Sequence, residues 1–298
     1  MKDFIVNAKT DVYAILGDPI EHSMSPVIHN SSFRRCGMDK VFLAVRCDPD
    51  HVDEMMRSLR FMGLKGYVFT MPLKELVFSH LDEIRDEAAL TGAINCVQNN
   101  NGRLIGYNTD SIGFWTAIQE RNMARRPIRK IFVMGMGGFS KAAVAQAALQ
   151  DVEEIVVTNR MGSKIVPGFR DFAERLKEKC PQTKVGLVDW EPELWKAELA
   201  DADIVANATS NGLNGNGDLE KQFPYSAVAD GCIFFDAIYS PLKTSFLAEA
   251  EKRGHIIVNG LDLLAHQGVC SFKIWTGVDV EPALMRGDAL EFLDNSHK

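Results

Sequence analysis

Residues 131–149 read IFVMGMGGFSKAAVAQAAL, and this passage decides the fold class. Four apolar residues, Ile131 to Met134, make a short strand-like run that meets a glycine cluster at Gly135, Gly137 and Gly138. From Ser140 to Leu149 the chain is alanine-rich and reads as a helix. A strand, a glycine turn and a helix in that order are the context a dinucleotide-binding turn requires. One glycine admits the tight backbone geometry, and a second lets a pyrophosphate approach the backbone. The exposed N–H groups at the helix start then face the anion. Ser140 stands where the third glycine of the fingerprint would be. A lone glycine-rich turn is also a common strand-to-helix connection, so the flanking elements carry the reading.

The next strand-like run, Glu154–Thr158, leads into Asn159 and Arg160, with Lys164 close behind. An acid at this point would bind the ribose hydroxyls of NAD. An amide and two cations favour the 2′-phosphate of NADP instead, with NAD as a second cofactor. The plain alternative is an arginine solvated in a loop. Further strand-like runs at Ile204–Ala206, Ile233–Asp236 and Ile256–Val258 alternate with helical stretches, which extends a dinucleotide-type domain over 111–260.

Upstream, Val12–Leu16, Val41–Val45 and Lys65–Thr70 read as strands, and Pro26–Cys36 and Asp48–Phe61 read as helices. This βαβαβ order predicts a parallel sheet in an N-terminal domain of about 110 residues. Within it, two short apolar runs flank Asn99-Asn100-Asn101-Gly102, a hairpin signal. From Leu261 onward the pattern is helical, and periodicity assigns that tail to neither domain.

The bulk numbers agree with two domains in 298 residues. With 46% hydrophobic and 24% charged residues the chain is ordinary for a globular protein. A net charge of −7 with no basic stripe argues against nucleic acid as a partner. Cys36, Cys47, Cys96, Cys180, Cys232 and Cys270 form no CxxC pair, so neither a zinc site nor a disulfide framework is expected, and no metal is assigned. The polar N-terminus and the lack of an apolar run of about 20 residues point away from export and membrane, and so to the cytoplasm.

Three loops of the N-terminal half are dense in small polar groups. Ser23 and Ser25 precede a helix, where two hydroxyls can hold a carboxylate or act as caps. Lys74 follows a strand through Thr70-Met71-Pro72-Leu73, the place where open α/β sheets bind ligands. Gly106-Tyr107-Asn108-Thr109-Asp110 reads equally as an Asx-type turn or as the carrier of a functional acid. Hydride transfer to a ketone needs a proton donor for the developing alkoxide. A lysine ammonium can serve, with a carboxylate to orient it and stabilise its charge. Lys74 and Asp110 are the candidates.

These loops, in this order, resemble the shikimate dehydrogenase family, including its quinate/shikimate branch. The resemblance runs over nearly the whole chain. It rests on Gly17-Asp18-Pro19-Ile20, His22-Ser23-Met24-Ser25-Pro26, His29-Asn30, Thr70 to Lys74, Gly92-Ala93-Ile94-Asn95 and Gly106 to Asp110. Further on it rests on Gly135 to Gly138, Asn159-Arg160, Asn207-Ala208-Thr209-Ser210, Asp236 to Pro241, Gly260 to Leu264 with Gln267, and Trp275-Thr276-Gly277.

The resemblance implies an α/β fold: an N-terminal substrate domain, 1–110 with 261–298, and a Rossmann-like domain, 111–260, around a cleft. It implies reversible NAD(P)-dependent reduction of 3-dehydroshikimate, or of 3-dehydroquinate, with Lys74 and Asp110 as the acid–base pair. Ser23, Ser25, Thr70, Asn95, Tyr239 and Gln267 would bind the substrate. Gly135, Gly137 and Gly138 would cradle the pyrophosphate, with Asn159, Arg160 and Lys164 near the adenosine ribose. Asn207, Ala208, Thr209 and Gly260 would lie on the nicotinamide side. The expected partner is a small cyclic hydroxy acid, and a homodimer is left open. Departures from the family pattern are Val68-Phe69 for Asn-Val, Met161 for Thr, and Phe139 for a small residue. They keep a related cyclic substrate, such as an aminated shikimate, in view. A ligand-sensing protein without catalysis is the rival class, and the presence of both Lys74 and Asp110 argues against it.

Overall fold

The structure is a computed structural model and describes residues 5–296. By contacts the chain divides into two compact units, the first running to Thr109 and resuming at Leu264, the second spanning Asp110–Leu263. Among the described residues no helix is long and apolar enough to cross a membrane.

The first unit opens with β1 (Asp11–Gly17), α1 (Ser25–Arg35), β2 (Lys40–Arg46), α2 (Val52–Phe61) and β3 (Gly66–Phe69). It continues with α3 (Leu73–Leu76), β4 (Glu83–Ile84), α4 (Asp86–Thr91), β5 (Cys96–Asn100) and β6 (Arg103–Tyr107). The sheet order is β2-β1-β3-β5-β6-β4. Strand β1 pairs in parallel with both β2 and β3, which is why Tyr13 to Leu16 is apolar on both faces. The sheet is mixed rather than wholly parallel. The β5–β6 hairpin pairs antiparallel with itself and, through β5, with β3. A two-residue turn closes the hairpin, with Asn101 at φ 52 and Gly102 at φ 92, the left-handed pair such a turn demands. On the outer edge, the Asn30 side chain brackets Phe42 of β2, accepting its N–H and donating to its carbonyl, each at 2.8 Å. That pins α1 to the sheet. Ala14, Tyr67, Phe69, Ile94, Val97 and Leu104 belong to the core on one side.

The second unit carries α5 (Thr109–Arg121), β7 (Lys130–Met134), α6 (Gly138–Leu149), β8 (Glu154–Asn159), α7 (Val166–Lys179) and β9 (Lys184–Asp189). It goes on with α8 (Pro192–Leu199), β10 (Ile204–Asn207), α9 (Leu219–Gln222), β11 (Ile233–Asp236), α10 (Ser245–Lys252) and β12 (Ile256–Val258). Its six strands are all parallel in the order β12-β11-β10-β7-β8-β9. Counted from β7 as the first, this is the doubly wound order 6-5-4-1-2-3, with the switch point between β7 and β10. Phe132, Trp195, Phe223, Phe234 and Phe246 lie in a core against one face.

Two helices complete the chain, α11 (Gly260–Thr276) and α12 (Pro282–Ser296). From Leu264 onward they belong to the first unit. There the Trp275 indole N–H donates to the Val97 carbonyl at 3.1 Å, and the Gln98 amide donates to the Ile274 carbonyl at 2.8 Å.

Candidate active site

In the first unit the motif loops are joined by the sheet that carries them. The chain leaves β3 with the Thr70 N–H donating to the Leu16 carbonyl at 2.9 Å. The Asp18 N–H returns the tie to the Met71 carbonyl at 3.3 Å. Thr70 therefore sits beside the loop that leads from β1 to the two serines. Lys74 lies half-buried on α3, and its carbonyl accepts the Ile94 N–H at 2.8 Å. One residue on, the Asn95 carbonyl accepts the Phe69 N–H, also at 2.8 Å. Thr70, Lys74 and Asn95 are thus held together by backbone bonds across two segments distant in sequence. Val68 and Phe69, the departures before Thr70, are both buried in β3.

Asn95 is buried, and its side chain faces Thr109. Its amide oxygen accepts the Thr109 N–H at 2.6 Å, and its amide nitrogen reaches the Thr109 hydroxyl at 3.0 Å. The Thr109 hydroxyl also lies 3.1 Å from that of Ser271, which donates to the Gln267 carbonyl at 3.0 Å. Next to it, the Asn108 amide donates to the Thr91 hydroxyl and the Ala93 carbonyl, each at 3.1 Å. Asn95 therefore belongs to one buried polar network with Thr109 and Ser271, two members the motif reading does not single out, and Ser271 ties it to the backbone carbonyl of Gln267. Gln267 itself donates to the Leu264 carbonyl at 3.0 Å.

Ser23 and Ser25 open α1. The cap position is Met24, with no side-chain cap bond, and the Ser23 hydroxyl accepts the Ser25 N–H at 3.3 Å. The serines form a local turn, and neither acts as the helix cap. One helical turn deeper, His29 is fully buried, and neither ring nitrogen has a hydrogen-bond partner. It stacks on Phe42 at 4.6 Å, and burial lowers its pKa to about 3.

In the second unit Asp110 is half-buried in the first turn of α5, where the helix dipole favours a carboxylate. The glycine turn follows β7. Gly135 has φ +105, and a Cβ there would press on the Ala208 carbonyl and the Thr209 methyl, each at 3.0 Å, so only glycine fits. At Gly137 and Gly138 an added Cβ would meet nothing within 4 Å, so the helix start is open to a ligand. Buried Ser140 donates its hydroxyl to the Gly135 carbonyl at 2.7 Å, which explains why a serine closes this turn without the third glycine. The Phe139 ring stacks on Phe235 at 5.7 Å and meets Phe114 edge-on.

At the end of β8 the Asn159 amide oxygen accepts the Arg160 N–H at 2.8 Å. Arg160 and Lys164 are exposed. Asp189, at the end of β9, accepts the Met161 N–H at 3.0 Å and the Trp190 N–H at 2.8 Å, which holds this loop from the neighbouring strand.

Across the switch point, Asn207 is buried and fully engaged. Its oxygen accepts the Thr209 N–H at 3.1 Å and hydroxyl at 2.7 Å, and its amide donates to the Asn211 carbonyl and to Asp236. It frames the 207–211 loop, and it is Ala208 and Thr209 that border the glycine turn. Asp236 ends β11 with no exposure, and burial, opposed by bonds from Thr244, Ile238 and Asn207, raises its carboxyl to about 6. Gly260 donates its N–H to the Ile238 carbonyl at 3.0 Å, and a Cβ there would overlap the Ala237 carbonyl. Tyr239 is partly buried, which raises its phenol pKa. Asp236 opens the motif Asp236 to Pro241 and closes the apolar run Ile233 to Phe235, but neither signal says what its carboxylate holds.

The chain matches the family described as "Shikimate dehydrogenase substrate binding domain" over residues 15–97. It matches "Shikimate 5'-dehydrogenase C-terminal domain" over residues 260–287. It is 33% identical over 281 residues to the shikimate dehydrogenase (NADP(+)) of Desulforamulus reducens, covering 94% of this chain and 95% of that protein. It is 34% identical to the protein of the same name from Methanopyrus kandleri, covering 97% and 98%. Among solved structures it is similar to shikimate 5-dehydrogenase from Listeria monocytogenes in complex with shikimate and NAD. That likeness has a TM-score of 0.87 at 31% identity and covers 95% of this chain and 97% of the other.

Proposed function

The chain belongs to the shikimate dehydrogenase family, and from that membership we propose that it interconverts 3-dehydroshikimate and shikimate with NADP as its preferred cofactor and NAD as a second. The observation that carries the reading is the joining of Thr70, Lys74 and Asn95 through the Lys74–Ile94 and Phe69–Asn95 backbone bonds, with Asn95 in turn gripping the residue before Asp110. The relatives are named for shikimate, which favours it over quinate or an aminated analogue. Six free cysteines support the cytoplasm as the working compartment.

The residues fit the coenzyme: an open helix start at Gly137 and Gly138 for the pyrophosphate, and exposed Arg160 and Lys164 for a 2′-phosphate. When bound, the nicotinamide supplies or accepts the hydride. In the reductive direction the Lys74 ammonium donates a proton to the substrate oxygen as its negative charge develops. Asp110 orients that ammonium and stabilises its charge. Ser23 and Ser25 hold the carboxylate, and Thr70, Asn95, Tyr239 and Gln267 orient the ring hydroxyls. The test is NADPH absorbance formed from NADP+ with shikimate, quinate or aminoshikimate, repeated with NAD+. Turnover highest with shikimate and NADP+ is expected. No turnover with any pair would favour the ligand-sensing class.

A further inference from the structure

We propose that Asp236 is a positioning residue for the nicotinamide half of the coenzyme, acting through Asn207 and Thr244 to join the loops that leave β10 and β11. The proposal rests on the coenzyme reading above. A carboxylate with no solvent exposure is costly unless donors surround it. Asp236 has three, each from a different part of the second unit. The Thr244 hydroxyl donates at 2.6 Å to one oxygen. The Asn207 amide and the Ile238 N–H donate to the other, both at 3.1 Å. Each donor has a second tie. Thr244 accepts the Leu247 N–H at 3.4 Å and caps α10. Asn207 fixes the Thr209 N–H and hydroxyl and the Asn211 carbonyl. The Ile238 carbonyl accepts the Gly260 N–H.

Position separates this network from an ordinary buried ion. In a doubly wound sheet the ligand lies at the carboxyl ends of the strands, and the half formed by β10, β11 and β12 serves the second nucleotide. Asn207 and Asp236 are the last residues of β10 and β11 and face each other in register. Ala208 and Thr209 fill the space a Cβ on Gly135 of the pyrophosphate turn would need, and Ala237 and Ile238 do the same at Gly260, whose N–H donates to the Ile238 carbonyl. One carboxylate therefore sets the whole rim from the glycine turn to the start of α11. The loop at Asn159 to Met161 is held separately, from β9, by the Asn159–Asp189 strand pairing and by Asp189 accepting the Met161 N–H.

The experiment measures binding of two probes, NADP+ and adenosine 2′,5′-bisphosphate, by calorimetry. The variants are Asp236→Asn, Thr244→Val and Thr244→Ser. Thr244→Val leaves the carboxylate two donors and is the milder change should Asp236→Asn fold poorly. In Thr244→Val, NADP+ affinity is expected to fall on the order of tenfold, as for loss of one bond to a charged group. Affinity for the bisphosphate, which lacks the nicotinamide half, should hold within about twofold, as for an independent site. Thr244→Ser keeps the hydroxyl and should bind both probes as the unsubstituted protein does. Parallel weakening of both probes would overturn the proposal in favour of a general structural role, and unchanged NADP+ affinity in Thr244→Val would overturn it outright. Failure of the unsubstituted protein to bind NADP+ would overturn the coenzyme reading, and this proposal with it. NADP+ binding without shikimate turnover would overturn the activity alone, and the comparison of probes would still decide the role of Asp236.

Discussion

Asn95 grips Thr109 at two points, accepting its N–H at 2.6 Å and reaching its hydroxyl at 3.0 Å. Both residues are buried, and Asp110 is the next residue along the chain. The family resemblance assigns Asn95 to the substrate, but its amide already fixes the backbone from which Asp110 departs. Asn95→Ala should therefore lower kcat by more than it raises the KM for shikimate. Leaving the Thr109 N–H unpaired should also cost about 1–3 kcal/mol of stability. Steady-state kinetics and denaturant unfolding check both. A raised KM with wild-type kcat would return Asn95 to a pure substrate contact.

Lys74→Ala should cut kcat by roughly 10²–10⁴-fold, the usual contribution of a general acid, with NADP+ affinity nearly unchanged. Asp110→Asn should behave similarly, because it removes the orienting charge and little volume. Kinetics with a parallel NADP+ titration reads both terms. Wild-type turnover in Lys74→Ala would disprove the acid–base assignment.

Much of this was legible because each signal was local. The glycine turn, the Asn101-Gly102 hairpin and the buried run from Tyr13 to Leu16 each declare themselves within a few residues. Strand β9 did not, because it is a half-buried edge strand interrupted by Gly186 and shows neither a continuous apolar run nor clean alternation. Strand β4 is two residues long, too short for any period. The expected parallel sheet of the first unit became mixed because the hairpin joins beside β3, a pairing that order along the chain does not dictate. In the site, the motifs named candidate residues, both accessible ones such as Lys74 and Arg160 and buried ones such as Asn95 and Asn207. Ser140, Thr109 and Asp236 stand in or beside the motifs, but what each holds was not legible there, because their partners are buried and, for Thr109 and Ser271, 162 positions apart.

Ser23 and Ser25 make a local turn, the Ser23 hydroxyl accepting the Ser25 N–H, and leave the cap position to Met24, so the proposed carboxylate contact does not compete with helix capping. Alanine at both positions should raise the KM for shikimate more than it lowers kcat, since ground and transition states share the carboxylate. Two bonds to a charged group set a ceiling of about 3–6 kcal/mol. The measurement is the pair of constants in the double variant, and an unchanged KM would leave the serines a role in the turn alone.

His29 links the first unit to pH. Its folded pKa of about 3 lies below its ordinary 6.5 because burial disfavours the charged ring. Well above pH 6.5 the ring is neutral in both states and contributes no pH dependence. As pH falls from 6.5 towards 3, the unfolded chain takes up a proton that the native ring refuses, so stability falls. The loss attributable to this group should reach about 2 kcal/mol at pH 5. His29→Phe, which keeps a ring against Phe42, should shrink the difference in unfolding free energy between pH 7.5 and pH 5 by that amount. The same pH dependence in the variant would refute the assignment.

Cofactor choice turns on the loop after β8. Position 159 is an asparagine, so no carboxylate stands there to repel a 2′-phosphate, and the Asn159 amide oxygen accepts the Arg160 N–H. Arg160 offers a planar fork suited to phosphate, and exposed Lys164 adds a second charge. Against them, Met161 brings no hydroxyl, and its N–H is occupied by the Asp189 carboxylate at 3.0 Å, which places a negative charge beside the loop. Two cations against one acid leave a preference for NADP that is moderate, not absolute. Catalytic efficiency should be higher with NADP+ than with NAD+, and Arg160→Ala should shrink the ratio. Added salt should shrink it too, since exposed charges more than about 8–10 Å apart are screened at ordinary ionic strength and closer ones are weakened. Side-by-side kcat/KM values with both cofactors at low and high salt decide the matter. Equal efficiency with NAD+ at low salt would show that Asp189 outweighs the two cations.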